Sequence, residues 1–133
     1  MKRIYLLLIM MIIAFTSVAQ SFRCKAYEFA VGYKNEYGKV IWNDWKVSDV
    51  PISINLKENR IRIYSSTIQD YQVLELSDKR YESDSESYYY PMKCMDKEGL
   101  ICGVRLRFQY SSNIIQLYVE YKDFSWVYNI EMY

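Results

Sequence analysis

The stretch "ICGVRLRFQYSSNIIQLYVEYKDFSWVYNIEM", Ile101 to Met132, alternates apolar and polar residues almost without a break. Successive side chains of an extended chain point to opposite faces, so the alternation predicts strands with one buried and one wet face. Leu100, Cys102, Val104, Leu106, Phe108 and Tyr110 share one face, with Arg105, Arg107 and Gln109 on the other. Beyond Ser111-Ser112-Asn113 the apolar set becomes Ile115, Leu117, Val119 and Tyr121, opposed by Gln116, Tyr118 and Glu120. Folding back with Phe108 beside Leu117 sets Leu106 against Val119 and Val104 against Tyr121. A slip of one residue would turn every one of them to the wrong face. A second reversal at Lys122-Asp123 pairs Trp126 with Val119, Tyr128 with Leu117 and Ile130 with Ile115. Lys-Asp is a poor primed-turn sequence, so the length of that loop stays open.

Working outward, Asp96-Lys97-Glu98-Gly99 reads as a type I turn closed by a left-handed glycine. It pairs Asp96 with Leu100, Cys94 with Cys102, Met92 with Val104 and Tyr90 with Leu106. Pro91 and Arg105 then form a non-hydrogen-bonded pair, and Pro91 faces away from this partner. Nothing on its other side can pair there, so a sheet edge or a break is expected near Pro91. Ile52, Ile54 and Leu56 alternate before a Lys57–Arg60 turn, and Ile61 and Ile63 follow it. Tyr27, Phe29, Val31 and Tyr33 share a face ahead of a turn at Asn35–Lys39. "VIWNDWKV" and "YQVLEL" read as strands, although the "WNDW" spacing also fits one helical turn. "SDKRYESDSES", Ser77 to Ser87, reads as a long, mobile, exposed loop. About eight or nine antiparallel strands result, an all-β meander that closes into a small barrel or folds into a two-sheet sandwich.

Residues 1–20, MKRIYLLLIMMIIAFTSVAQ, stand apart from this pattern. Lys2 and Arg3, the apolar run Ile4–Phe15, and the small residues Ser17 and Ala19 predict a secretory signal cut between Ala19 and Gln20. The apolar run is shorter than the roughly 20 residues of a spanning helix, so no membrane span is expected after cleavage. The leader resembles Gram-negative bacterial signals ending in Ala-Gln, which implies a periplasmic, outer-surface or extracellular protein. Residues 20–133 then form one domain, within the size that a single core supports. Losing Lys2 and Arg3 takes the basic count from 17 to 15, against 16 acidic residues. So even a balance argues against nucleic acid as a partner. The chain has no histidine, and none of its four glycines builds a phosphate loop, which removes most familiar catalytic and metal constellations.

With Trp42 near its start and hairpins running to its C-terminus, the chain resembles the bacterial lipocalin-like (calycin) barrels. That family usually carries Gly-x-Trp on its first strand and binds small apolar ligands in its lumen. Here Gly38 lies four residues before Trp42, so the resemblance covers architecture and transfers no residue roles.

Cys24, Cys94 and Cys102 are an odd set, so at most one internal bridge can form. Cys94 and Cys102 face each other at a hydrogen-bonded position about 5.5 Å apart in Cα terms, within disulfide range. Two buried thiols, or a bridge from Cys24, are the alternatives. On the outward face the register sets Arg107 between Tyr89 and Tyr118, with Arg105 opposite Glu120. A guanidinium flanked by phenol rings can form a flat recognition surface for protein or glycan, or be ordinary cross-strand pairing. Trp42, Trp45 and Trp126 are candidates to line a pocket that stacks sugars or apolar ligands, with core the favoured reading of Trp126. Of the fifteen tyrosines, strand propensity accounts for most. Glu82, Asp84, Glu86, Asp96 and Glu98 fall in loops and turns, where paired acid chemistry is hard to hold, and Asp44 is the one suspicious acid. No cofactor or metal is expected. The expected function is a non-catalytic binding module for a small apolar or sugar ligand. An interaction surface built on the Tyr/Arg face is the alternative, and an enzyme the third class.

Overall fold

The computed structural model describes residues 21–132; the leader and its Ala19–Gln20 cleavage point lie outside the described residues. Ten strands and no helix make up the described chain. They are β1 (Ser21–Lys34), β2 (Val40–Trp42), β3 (Lys46–Asn55), β4 (Arg60–Ile63), β5 (Gln69–Leu76), β6 (Arg80–Glu82), β7 (Ser87–Met95), β8 (Ile101–Gln109), β9 (Ile114–Glu120) and β10 (Phe124–Met132). The hydrogen-bonded order is β10-β9-β8-β7-β5-β4-β3-β1, and β1 also pairs with β10, from Cys24 opposite Met132 to Tyr33 opposite Phe124. Eight strands therefore close an antiparallel barrel, and the sandwich alternative falls away. Closure removes the open edges that would otherwise recruit other chains.

The short extra strands raise the count above the expected eight or nine. β2 continues β3 along the edge of β1 after an interruption at Asn43–Trp45, so "WNDW" is a strand break and not a helical turn. β6 lies inside the stretch expected to be a bare loop and pairs with the start of β7. The two strands that share one edge of β7 meet at Pro91. β5 pairing ends at Leu76 opposite Met92, and β6 pairing begins at Arg80 opposite Tyr89. Between them the Pro91 carbonyl accepts the Ser77 N–H, at 3.0 Å. The missing N–H of proline is what splits the edge, as the sequence predicts.

The β7–β8 and β9–β10 registers match the sequence reading, Cys94 opposite Cys102 and Trp126 opposite Val119 included. The β8–β9 register does not. Phe108 faces Ile115, Leu106 faces Leu117 and Val104 faces Val119, a slip of two residues from the expected pairing. A four-residue turn causes it: Asn113 takes φ 55°, which asparagine tolerates better than most side chains. Tyr110 leaves the strand and places its ring 5.5 Å from Tyr88 and 6.4 Å from Tyr81. A second departure lies in β1, where a bulge at Tyr27 shifts the register against both neighbours. Cys24 and Ala26 fill the interior before it, Phe29 and Val31 line it afterwards, and Tyr27 turns outward.

Inside, Ile52, Ile61, Ile63, Val104, Leu117 and Val119 are fully buried and meet across the barrel axis. An eight-stranded barrel is just wide enough for side chains to fill. These side chains fill the centre, and two open spaces lie towards the two ends.

Candidate functional site

Two places on this scaffold gather recognition chemistry: the outer face of β7 to β10 and one mouth of the barrel. On the outer face, strand pairing lines up Glu28, Asn129, Gln116, Arg107 and Tyr89 in one row across five strands. Asn129 Nδ2 donates to Glu28 Oε1 at 2.6 Å, and Gln116 Nε2 donates to Asn129 Oδ1 at 2.9 Å. Arg107 continues the row, donating to Gln116 Oε1 at 2.9 Å and to Ser87 Oγ at 3.2 Å. Gln116 and Asn129 are 8% and 6% exposed although they point outward. Ala30 and Val127, also outward, are buried too, so a thin second layer covers this wall.

That layer is aromatic and cationic. The Trp42 ring meets Tyr118 edge-on at 6.1 Å, close over Gly32. The Arg105 guanidinium lies 4.2 Å from the Tyr118 ring centre and 5.7 Å from that of Tyr89, while its Nε donates to Glu120 at 2.8 Å. The cation between the two tyrosines is therefore Arg105, where the sequence reading placed Arg107. The two-residue slip moves Tyr118 opposite Arg105 and Gln116 opposite Arg107. Trp42, Tyr89, Arg107 and Tyr118 thus come together on one face. Trp45 does not join them: it is exposed in the β2–β3 interruption. Asp44, beside it, is exposed as well.

The mouth lies where the β4–β5 and β9–β10 turns and the far end of β1 gather. Here Phe29, Val31, Val50, Trp126 and Tyr128 wall an open cup of about 280 Å³, edged by Ser65, Ser66 and Gln69. Its polar side is pinned by Gln69. The Gln69 amide donates to Tyr128 Oη at 3.0 Å and to Ser65 Oγ at 3.1 Å, and its carbonyl accepts the Tyr71 hydroxyl at 2.6 Å. Tyr121, Phe124 and Trp126 cluster with ring centroids 4.9 to 5.6 Å apart and give this end an aromatic rim. A smaller space of about 220 Å³ lies at the opposite end, between Phe22, Leu56, Leu76, Tyr90 and Lys79.

Cys94 and Cys102 sit opposite each other beneath the β7–β8 turn, and both are buried free thiols, as is Cys24. Burial pushes the Cys24 thiol up to about 11 and the Cys94 thiol to about 12, and raises that of Cys102. None is poised as a nucleophile, which requires the thiolate. Several carboxylates are engaged structurally: Asp70 by Arg60 and Arg62, Asp96 by Tyr121, Glu82 by Ser85. Among the described residues no cluster of acids and cysteines could hold a metal ion, and no helix is long and apolar enough to cross a membrane.

Sequence reasoning touches the cup only through Trp126, a candidate pocket residue whose favoured reading is core. Phe29, Val31 and Tyr128 carry only a strand signal, and "YSSTIQ", Tyr64 to Gln69, reads as a polar connection. Nothing local says that Gln69 reaches Tyr128, 59 residues away. Comparison of the chain with protein-family models, curated proteins and solved structures returned no match.

Proposed function

We propose that the protein is a non-catalytic binding module, exported from the cell, that holds a small, largely apolar ligand in the aromatic cup at the barrel mouth. One observation carries this reading. Five apolar or aromatic side chains converge on a space of about 280 Å³ whose polar groups sit along one side only. Ligand sites have this form, mostly apolar walls with a few placed polar groups. The volume lies at the lower limit of the usual range of about 300–1,000 Å³, so the ligand is small. Lipocalin-like barrels, which the chain resembles, bind in the lumen. Here the lumen is filled, which moves the proposed site outward to the mouth. The absence of histidine supports a role of binding without chemistry. Native mass spectrometry of protein purified from its own host is expected to find a retained small molecule. Protein that arrives empty, and that no apolar probe enters, sinks the reading.

The outer face supports a second reading, recognition of a protein or glycan, because Trp42, Tyr118, Arg105 and Tyr89 form a continuous aromatic and cationic strip. Tyr118→Ser separates the two, since Tyr118 belongs to the outer strip and does not line the cup. Loss of binding of labelled protein to host cells, with ligand retention unchanged, would favour the strip.

A further inference from the structure

We infer that the barrel carries a second ligand site at the end opposite the cup, a pit that takes an amphiphile by its apolar end and leaves the polar end outside. It stands apart from the reading of the mouth, since the pit and the cup share no lining residue.

Phe22, Ile54, Leu56, Leu76, Met92 and Leu106 wall the pit. Ile54, Met92 and Leu106 belong to the buried core, so the floor is apolar. Leu76 pairs with Met92 across the β5–β7 ladder, yet it stays 51% exposed at the pit's side. An apolar group that covers it gains free energy in proportion to the area taken from water. The charged groups of the pit, Asp78 and Lys79, are exposed and come from one short segment, the link between β5 and β6. That link runs past Pro91, where the ladder on this edge of β7 breaks, so it brings side chains to the opening in place of a strand. A carbon skeleton can enter here while its polar group stays in water.

Size decides how much enters. The pit holds about 220 Å³, below the roughly 300–1,000 Å³ of sites that enclose a whole ligand. A cavity of about 150 Å³ takes benzene, with its six carbons, so the pit takes about eight. The remainder of the molecule meets an aromatic shelf. Two residues beyond Tyr90 and Leu106, on the same strand faces, Tyr88 and Phe108 pair with each other. Tyr81 pairs with Tyr88, and the Tyr110 ring lies 5.5 Å from that of Tyr88. The Tyr81 and Tyr110 hydroxyls meet at 2.8 Å. Lys79 joins shelf to pit, because it lines the pit and its Nζ lies 4.7 Å from the Tyr88 ring centre. A head group at this opening finds a cation, a carboxylate and phenol hydroxyls, so its charge does not decide entry. The apolar end does.

1-Hexanol, 1-octanol and octane-1,8-diol test this, being uncharged and differing in apolar length or in a second polar end. Each is titrated into the exported protein while NMR follows the methyl groups of Leu76, Met92 and Leu106 at the pit and of Val31 and Val50 at the cup. 1-Octanol is expected to shift the pit methyls and to bind about tenfold more tightly than 1-hexanol, the factor that two buried methylenes supply. Octane-1,8-diol must sink one hydroxyl into the apolar floor and should bind about tenfold more weakly than 1-octanol. Leu76→Trp, at a half-exposed position, should fill the pit and abolish the shifts at Met92 and Leu106. Leu56→Trp blocks the same space if Leu76→Trp does not fold. Ser66→Trp, in an exposed loop on the cup's edge, should leave the pit shifts unchanged. Shifts confined to Val31 and Val50 put the alcohols in the cup and overturn the second site. Pit methyls unmoved by all three alcohols, or still shifted in both filled variants, overturn it as well. Equal binding of 1-octanol and the diol at the pit overturns entry by the apolar end.

Discussion

Asp96 Oδ1 accepts the N–H groups of Glu98 and Leu100, both at 2.9 Å, and its other oxygen accepts the Tyr121 hydroxyl at 2.6 Å. One side chain thus shapes the β7–β8 turn and ties it to the end of β9. The Tyr121 hydroxyl, helped by those N–H groups, holds the Asp96 carboxyl below the usual carboxylate range. A depressed folded-state pKa stabilises the fold above the unfolded value of about 4, and that stability is lost as pH falls through the folded value. Asp96→Ala is therefore expected to cost about 1–3 kcal/mol in urea unfolding at pH 7. The gap from wild type should narrow below about pH 4. The buried thiols give a second test at this scale. With Cys24 and Cys94 held near 11 and 12, almost no thiolate exists at pH 8, so native protein should resist iodoacetamide. After denaturation, mass spectrometry should count three adducts; a single adduct would mean one internal bridge, with the carbamidomethylated cysteine identifying which pair forms it.

At Gly32 two elements come close. A Cβ there would lie 2.7 Å from Val40 Cγ1 and 2.8 Å from the Trp42 ring, so β2 can lie across β1 only over a glycine. Gly32→Ala should cost about 1–3 kcal/mol by overpacking, and less in a Trp42→Ala background, where only the Val40 contact remains. A double-mutant cycle by denaturant unfolding measures that coupling. If the cost stays the same in both backgrounds, Trp42 is not seated there. The hairpins also show what local sequence can and cannot decide. The β7–β8 register is legible because Asp96 and Gly99 fix their loop, the glycine at φ 82°. The β8–β9 register is not, because a two-residue slip keeps every apolar side chain inward. Only the left-handed Asn113 and the outward pull of Tyr110 towards Tyr81 choose between the two pairings. That choice also decides which arginine the outer tyrosines hold. The outer strip was thus legible in its aromatics and wrong in its cation.

For the whole molecule, alternation was enough to give an all-β meander, because the inward positions of a filled eight-stranded barrel are mostly apolar. It could not separate barrel from sandwich. Closure depends on β1 meeting β10, and no local pattern records a pairing across the full domain. The cup was hidden for the same reason, since its walls come from β1, β3, β10 and the β4–β5 connection. The filled centre predicts that Leu117→Ala, at a fully buried position, costs about 2–5 kcal/mol in denaturant unfolding. A loss below 1 kcal/mol would mean a loosely packed axis with room for a ligand. Non-local pairing on this scale also predicts slow folding, in the millisecond-to-second range or beyond by stopped-flow fluorescence.

Glu28 and Asn129, bonded neighbours in the closed barrel, are 101 residues apart in the chain. At a ribosomal rate of about 5–20 residues per second, the flank of β1 that awaits β10 stays bare for roughly 5–20 s during synthesis. Through that interval the nascent polypeptide is sticky and cannot finish folding by itself. Translation that stalls before Phe124 should therefore leave a product that aggregates or is degraded, and never a smaller working barrel.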